Sequence, residues 1–386
     1  MKTEQTYWTA GKGWEPGIPG TFGKEAQLAL VFGSTGALGE RALLQQIRNA
    51  YPRAHLLGCS TAGEIYNTQV LDESLVVTAI QFEETAIQGT RLKLNGSSDS
   101  FAAGAQLARQ LDQAGLAHVF VLSDGLRVNG SELVAGLTEH LPPHVAITGG
   151  LAGDGARFTE TLVLWDTEPE PGVVVALGLY GDRLRVGYGS LGGWDSFGPE
   201  RLITRSRGNV LYELDGTSAL QLYKTYLGEH AQGLPATALL FPLSLRTHQS
   251  AEPVVRTILS IDEDEQSMTF AGDVPEGGYA RLMKANFDRL IDGATEAAKT
   301  SAAIIGSASP ADLAILISCV GRKLVLKQRI EEEVEGVREV LGEHPALAGF
   351  YSYGEISPFT ACARCELHNQ TMTITTFSER SASPAL

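Results

Sequence analysis

The chain has 386 residues, 43% hydrophobic and 19% charged, enough to bury a large core and long enough that two domains are expected. Its 30 Lys and Arg against 45 Asp and Glu leave a formal charge of −15, which repels the phosphates of nucleic acid and the anionic face of a membrane, so neither is an expected partner. The opening MKTEQTYWTAGKGWEPG lacks the apolar core of a signal peptide, and the stretch SAAIIGSASPADLAILISCV is broken by Pro310 and Asp312. A cytoplasmic protein is expected, with Cys59, Cys319, Cys362 and Cys365 as thiols or ligands rather than disulfides.

In chain order, LALVF (28–32) predicts a strand, GSTGALGE a turn, RALLQQIRNA a helix and HLLG a second strand that runs into GCSTAGEI (58–65). The β-branched LVVTAIQF follows as a further strand. A second unit repeats the order: HVFVLSDG (118–125), a helix over SELVAGLTEHL capped by Ser131, then VAITGGLAGDG and the strand TLVLWD (161–166). Residues 172–190, GVVVALGLYGDRLRVGYGS, predict a hairpin turning at Gly181 and Asp182. A domain boundary is expected near residue 205, giving domains 1–205 and 206–386.

Beyond it, FPLSL, VVRTILSID and SMTFAGDVPEGGYARLM predict antiparallel strands, and NFDRLIDGATEAAKTS a helix. The third unit is DLAILIS (312–318), CVGRK, the amphipathic QRIEEEVEGVREVLGEH, GFYSYGEI (349–356) and the strand TMTITTF. The motif G-x-x-[ST]-x-G-E-I therefore occurs twice, with Ala152, Gly153 and Asp154 as a weaker middle copy. The expected fold is α/β: two mixed α/β domains built from repeated strand-helix-strand units with additional antiparallel strands.

Ligands in such sheets collect beyond the carboxyl ends of strands, where the three G-E and G-D loops are expected to converge. Ser60, Thr61, Gly63, Glu64, Asp154, Ser352, Tyr353, Gly354 and Glu355 are thus candidate ligand-binding residues, their carboxylates suited to a cationic or amino group. Arg322 is expected to project from the strand LAILISCVG and clamp a carboxylate, or else to pair with the acidic helix EEEVEG at the surface. The competing reading is that the glycines only permit tight turns and the acids only cap amides.

Three further patterns compete for a role. GSTGALG (33–39) follows a strand and opens a helix, as a dinucleotide-binding loop of an oxidoreductase does, yet no acidic residue ends the next strand and the other units lack the glycines. Cys59 lacks both a nucleophile elbow and an evident base. Cys362, Cys365 and His368 have a spacing that could supply three ligands to zinc, although no fourth is evident.

Taken together, GCSTAGEI, GGLAGDG, GDVPEG before RLMKANFDRLIDGA, and SCVGRK before GFYSYGEISP and CELHNQT resemble the FIST N and FIST C domains of sensory proteins, over nearly the whole chain. The resemblance implies a non-catalytic sensor that binds a small ligand and regulates a separate signalling protein, such as a histidine kinase or a cyclic-di-GMP enzyme. Part of the family senses nitric oxide through haem. If this chain does so, His368 in CELHNQT is the most attractive axial ligand, because the other seven histidines fall at helix ends, strand starts or connecting loops.

Overall fold

The computed structural model describes residues 1–94, 99–246, 253–306, 310–361 and 363–380. Its framework is three copies of one strand-helix-strand unit. In the first, Leu28–Gly33 and His55–Ser60 pair in parallel and Ser74–Gln81 returns antiparallel beside Leu28–Gly33. Leu116–Ser123, Ala146–Leu151 and Val173–Tyr180 form the second, and Leu313–Cys319, Ala346–Ser352 and Met372–Glu379 the third. These strands are buried on nearly every residue, as parallel strands covered on both faces must be.

The connecting helices follow the apolar spacing. Arg41–Ala50 buries Leu43, Leu44 and Ile47, whereas Ile330–Leu341 buries Val334 and Val337 and starts with Glu331, Glu332 and Glu333, where the helix dipole favours negative charge. Gly130–His140 is capped by Asn129 rather than Ser131: the Asn129 Oδ1 accepts from the Ser131 and Glu132 amides at 3.0 and 3.3 Å.

Each unit sends the strand after its G-E or G-D loop into a different unit's sheet. Glu64–Tyr66 pairs with Ala346–Ser352, Val163–Trp165 with His55–Ser60, and Gly354–Pro358 with Ala146–Leu151. The exchange is cyclic and produces three six-stranded sheets. Their inner faces share one core, in which Leu28, Leu30, Phe32, Phe120, Ile317 and Phe350 meet and the Phe32 and Phe350 rings lie 4.7 Å apart.

TLVLWD (161–166) does not return to its own unit; its strand Val163–Trp165 crosses to the first sheet, and Val173–Tyr180 is the true returning strand. Nor is 172–190 a hairpin, because Val173–Tyr180 and Leu184–Leu191 enter different sheets, the latter pairing with Met372–Glu379. Alternating apolar residues identify strands but not their partners.

A further antiparallel sheet occupies the stretch between Leu184–Leu191 and helix Phe287–Ile305, and runs from Asp195–Arg207 to Tyr279–Lys284. Residue 205 falls inside its first strand. The fold is α/β with mixed and antiparallel sheets, and among the described residues no helix is long and apolar enough to cross a membrane.

Candidate functional site

The repeated motif sits at the hub where the three units interlock. Ala62 N donates to Tyr351 O and Tyr351 N to Gly63 O, both at 2.8 Å; Gly153 N donates to Ser60 O at 2.9 Å, and Tyr353 N to Leu151 O at 3.2 Å. Glycine starts the motif because the chains nearly touch: a β-carbon on Gly58 would lie 2.0 Å from Val31 O, and one on Gly349 1.8 Å from Leu316 O.

The acids that end the motif point inward. Glu64 is 1% exposed and accepts from Thr61 Oγ1, and from Ser74 N and Oγ at 3.2 and 2.5 Å. Glu355 is fully buried and repeats the pattern, with Ser352 Oγ at 2.7 Å and Thr371 N and Oγ1 at 3.2 and 2.9 Å. Each carboxylate ties its loop to the start of the returning strand, which is the physical reason for writing [ST]-x-G-E twice. Burial raises the Glu64 carboxyl to about 7 and that of Glu355 to about 8, against the opposing pull of these hydrogen bonds.

Asp154 works differently. It gathers Thr35 Oγ1 at 2.7 Å, Arg157 Nε at 2.9 Å, and Thr159 Oγ1 at 2.7 Å with the Thr159 and Glu160 amides. This clasp shapes the 154–160 loop and holds Phe158 at φ 54°, a left-handed conformation that a bulky side chain seldom adopts. The Phe158 ring stacks on Tyr353 with centroids 4.4 Å apart, and its amide donates to the Tyr353 hydroxyl at 3.2 Å.

Arg322 does not project beyond the sheet, as the sequence suggested. It is fully buried and its partner is indeed in the acidic helix: Nε and Nη2 donate to Glu333 Oε2 at 3.0 and 2.7 Å, and Nη1 and Nη2 donate to Gly192 O and Leu290 O at 2.6 and 2.7 Å. GSTGALG opens only the four-residue helix Thr35–Leu38, with Thr35 committed to Asp154.

A cavity of about 830 Å³ opens instead where the second unit, the third unit and the antiparallel sheet meet. Its walls are the loop 125–130 after Leu116–Ser123, residues 319–321 and Leu324 after Leu313–Cys319, residues 233–236 and 257–259, and Phe270 to Gly272. Leu126, Phe158, Leu259 and Leu324, four of the eight large apolar residues exposed by more than a third among the described residues, surround it. Asp124 sets the 125–130 loop by accepting from the Leu126 and Arg127 amides at 2.8 Å, and from Gly172 N at 2.7 Å. The cavity lies beyond strand carboxyl ends, as expected of such sheets, at the first loops of the second and third units, with Phe158 and Tyr353 joining from their second loops.

Of the sequence-derived candidates only Tyr353 lines this cavity; Ser60, Thr61, Gly63, Glu64, Asp154, Arg322, Ser352, Gly354, Glu355 and His368 do not. The residues missed, Arg127, Asn129, Asn209 and Thr257, lie in stretches without a repeated motif, and Arg127 in SDGLRVNG was the one available signal. His368 is buried with Nε2 2.7 Å from Ser357 O and its ring against Phe359, and burial lowers it to about 4. It presents no nitrogen to the cavity, so haem held there by His368 does not fit. Cys362 lies outside the described residues, and among those described no group of three His, Cys, Asp or Glu could hold a metal. Cys59 and Cys319 are buried thiols pushed upward by burial, Cys319 to about 12.

The sheet architecture and the buried hub define an α/β protein of three interlocked units with a large cavity beside the second and third. The chain belongs to the FIST family: it matches the FIST N domain over residues 27–217 and the FIST C domain over 219–358. FIST domains are sensory domains of signalling proteins. No curated protein matches the chain. Among solved structures, the cyanuric acid hydrolase of A. caulinodans is similar at 9% identity and TM-score 0.33, covering 98% of this chain and 99% of its own. A second cyanuric acid hydrolase shows 11% identity and TM-score 0.25, over 78% of this chain and 69% of its own. Likenesses this distant carry no argument about activity.

Proposed function

We propose that the protein is a non-catalytic sensor that binds a small molecule in the inter-unit cavity and passes its occupancy to a separate signalling protein, such as a histidine kinase or a cyclic-di-GMP enzyme. The observation that carries this reading is the cavity itself: about 830 Å³ is the size of a site for a drug-sized ligand, and its walls come from three parts of the fold. A molecule touching all three biases their relative placement, which is the differential binding a sensor requires. Among the described lining residues there is no nucleophile-base pair: burial keeps Cys319 a thiol, and no histidine or carboxylate of the lining stands beside it.

Native mass spectrometry of the purified full chain tests the reading by revealing a non-covalent occupant. Ala236→Trp, at an exposed wall position, should reduce that occupancy at least tenfold while leaving the fold intact. Adding the loaded and emptied proteins to a histidine kinase autophosphorylation assay should change the rate in one state only. Equal occupancy in wild type and Ala236→Trp would remove the cavity from consideration.

A further inference from the structure

The cavity is apolar in area but one-sided in charge. Among its described lining residues there is no Asp, Glu, Lys or His, and the ionised member is Arg127. Its amide is pinned by Asp124, yet its guanidinium has no ion pair among the described residues, although the chain carries an excess of acids. Tyr353 and Cys319, the other titratable groups of the wall, are both raised to about 12 by burial and so are neutral.

A second arginine lies in the wall behind. Arg256 is 4% exposed, and its hydrogen bonds go to main-chain carbonyls, Nη1 to Leu367 O at 2.8 Å and Nε to Asp273 O at 3.4 Å. No carboxylate oxygen of the described residues comes within ion-pair distance, and the Asp273 carboxylate instead accepts from Asn129 Nδ2 at 3.0 Å. Arg256 packs on Gly272, a wall residue where a β-carbon would lie 2.8 Å from Nε. Beside it, Thr257 lines the cavity; its hydroxyl has no hydrogen-bond partner and is turned out of the accessible surface, so it meets a ligand on rotation about χ1. A buried hydroxyl left unpaired is costly, and the Arg256 guanidinium, drawn on by the Glu366, Asp273 and Glu355 carboxylates only from beyond contact, has no direct counter-ion among the described residues; one negatively charged acceptor would serve both.

Resting on the cavity reading above, we propose that the ligand is a small organic anion, an aromatic or branched aliphatic carboxylate, whose charged end meets Arg127 and Thr257 in the field of Arg256 while its apolar body lies against Leu126, Phe158 and Leu259. One guanidinium fork and one hydroxyl suit the two oxygens of a carboxylate. The net charge of −15 does not prevent this, because at physiological ionic strength the fields of distant surface charges are screened beyond about 8 Å. The carboxylate preference is opposite to the cation preference that Glu64 and Glu355 suggested in the sequence.

The test is calorimetric titration of the full chain, freed of any occupant, with three probes of one shape: 2-naphthoate, 2-naphthamide and 2-naphthylmethylammonium. Naphthoate should bind at least tenfold more tightly than the amide, and the ammonium weakest. Arg127→Ala should abolish the preference, Arg127→Lys should keep part of it, and Thr257→Val should weaken naphthoate several-fold. Amide or ammonium binding as tight as naphthoate, or naphthoate binding unchanged in Arg127→Ala, overturns the assignment. If the probes bind without preference and Ala236→Trp abolishes that binding, only the charge assignment fails. If none of the three binds wild type, the cavity reading fails with it.

Discussion

Arg322 Nη2 lies 2.7 Å from Glu333 Oε2, and both side chains are wholly withdrawn from solvent. Ser318 Oγ and Tyr351 Oη donate to the other Glu333 oxygen at 3.1 and 2.7 Å, so one pair locks the first strand, the helix and the second strand of the third unit. Removing one partner of a buried pair leaves an uncompensated charge, which costs about 3–5 kcal/mol. Arg322→Met and Glu333→Gln should each lower the urea midpoint accordingly. Ligand binding, compared at equal folded fraction, should be unchanged; a binding loss with intact stability would return Arg322 to the ligand site.

The buried glutamates set a pH dependence. Carboxyls raised in the folded state bind more protons folded than unfolded, so their contribution is most favourable below about pH 4.5 and declines as pH rises to about 7 for Glu64 and about 8 for Glu355. At about 1.4 kcal/mol per unit of displacement, Glu64 accounts for at most about 3.5 kcal/mol. Urea midpoints should therefore fall between pH 5 and 8, and Glu64→Gln or Glu355→Gln should flatten the slope. Parallel profiles in wild type and variants would show that these groups do not titrate there.

Glu379 acts in the opposite sense. Hydrogen bonds from Thr85 and the Glu83 and Glu84 amides outweigh burial and hold it at about 2, so its contribution is present above about pH 4.5 and is lost as pH falls towards 2. Glu379→Gln should make the protein less stable at pH 7 and should narrow the difference between pH 5 and pH 2.5, both read by thermal melting.

The Tyr353 hydroxyl joins the hub to the cavity, accepting from Phe158 N and donating to Gly155 O, both at 3.2 Å. Tyr353→Phe should cost about 1 kcal/mol and release the Phe158 loop. Phe158→Gly relieves the left-handed backbone but removes the stacked ring, so ligand affinity should fall while stability changes by less than about 1 kcal/mol. Affinity retained in both variants would exclude this loop from binding.

Gly349→Ala would push a β-carbon to 1.8 Å from Leu316 O, a backbone atom that cannot swing aside. A loss of about 3 kcal/mol is expected, the upper end of ordinary overpacking, with no compensating gain in ligand binding. Chemical denaturation read by circular dichroism would show it.

By itself the sequence determined the α/β class, the three units, the spacing of the G-x-x-[ST]-x-G-E-I motif and the resemblance to FIST domains, because each is written in short-range periodicity and fixed offsets. Only the tertiary structure decided what those residues do. A strand such as Val163–Trp165 carries no local mark of the partner over a hundred residues away with which it pairs, and Arg322 becomes a core residue because Gly192, Leu290 and Glu333 converge on it. The same holds for the cavity: Arg127, Thr257 and Tyr353 belong to three separate stretches, and cyclic strand exchange with an inserted sheet brings them to one cavity. Repetition reported the interlocking hub, where close backbone approach leaves few residue types possible, whereas the cavity falls between unlike elements and so has no repeat to announce it.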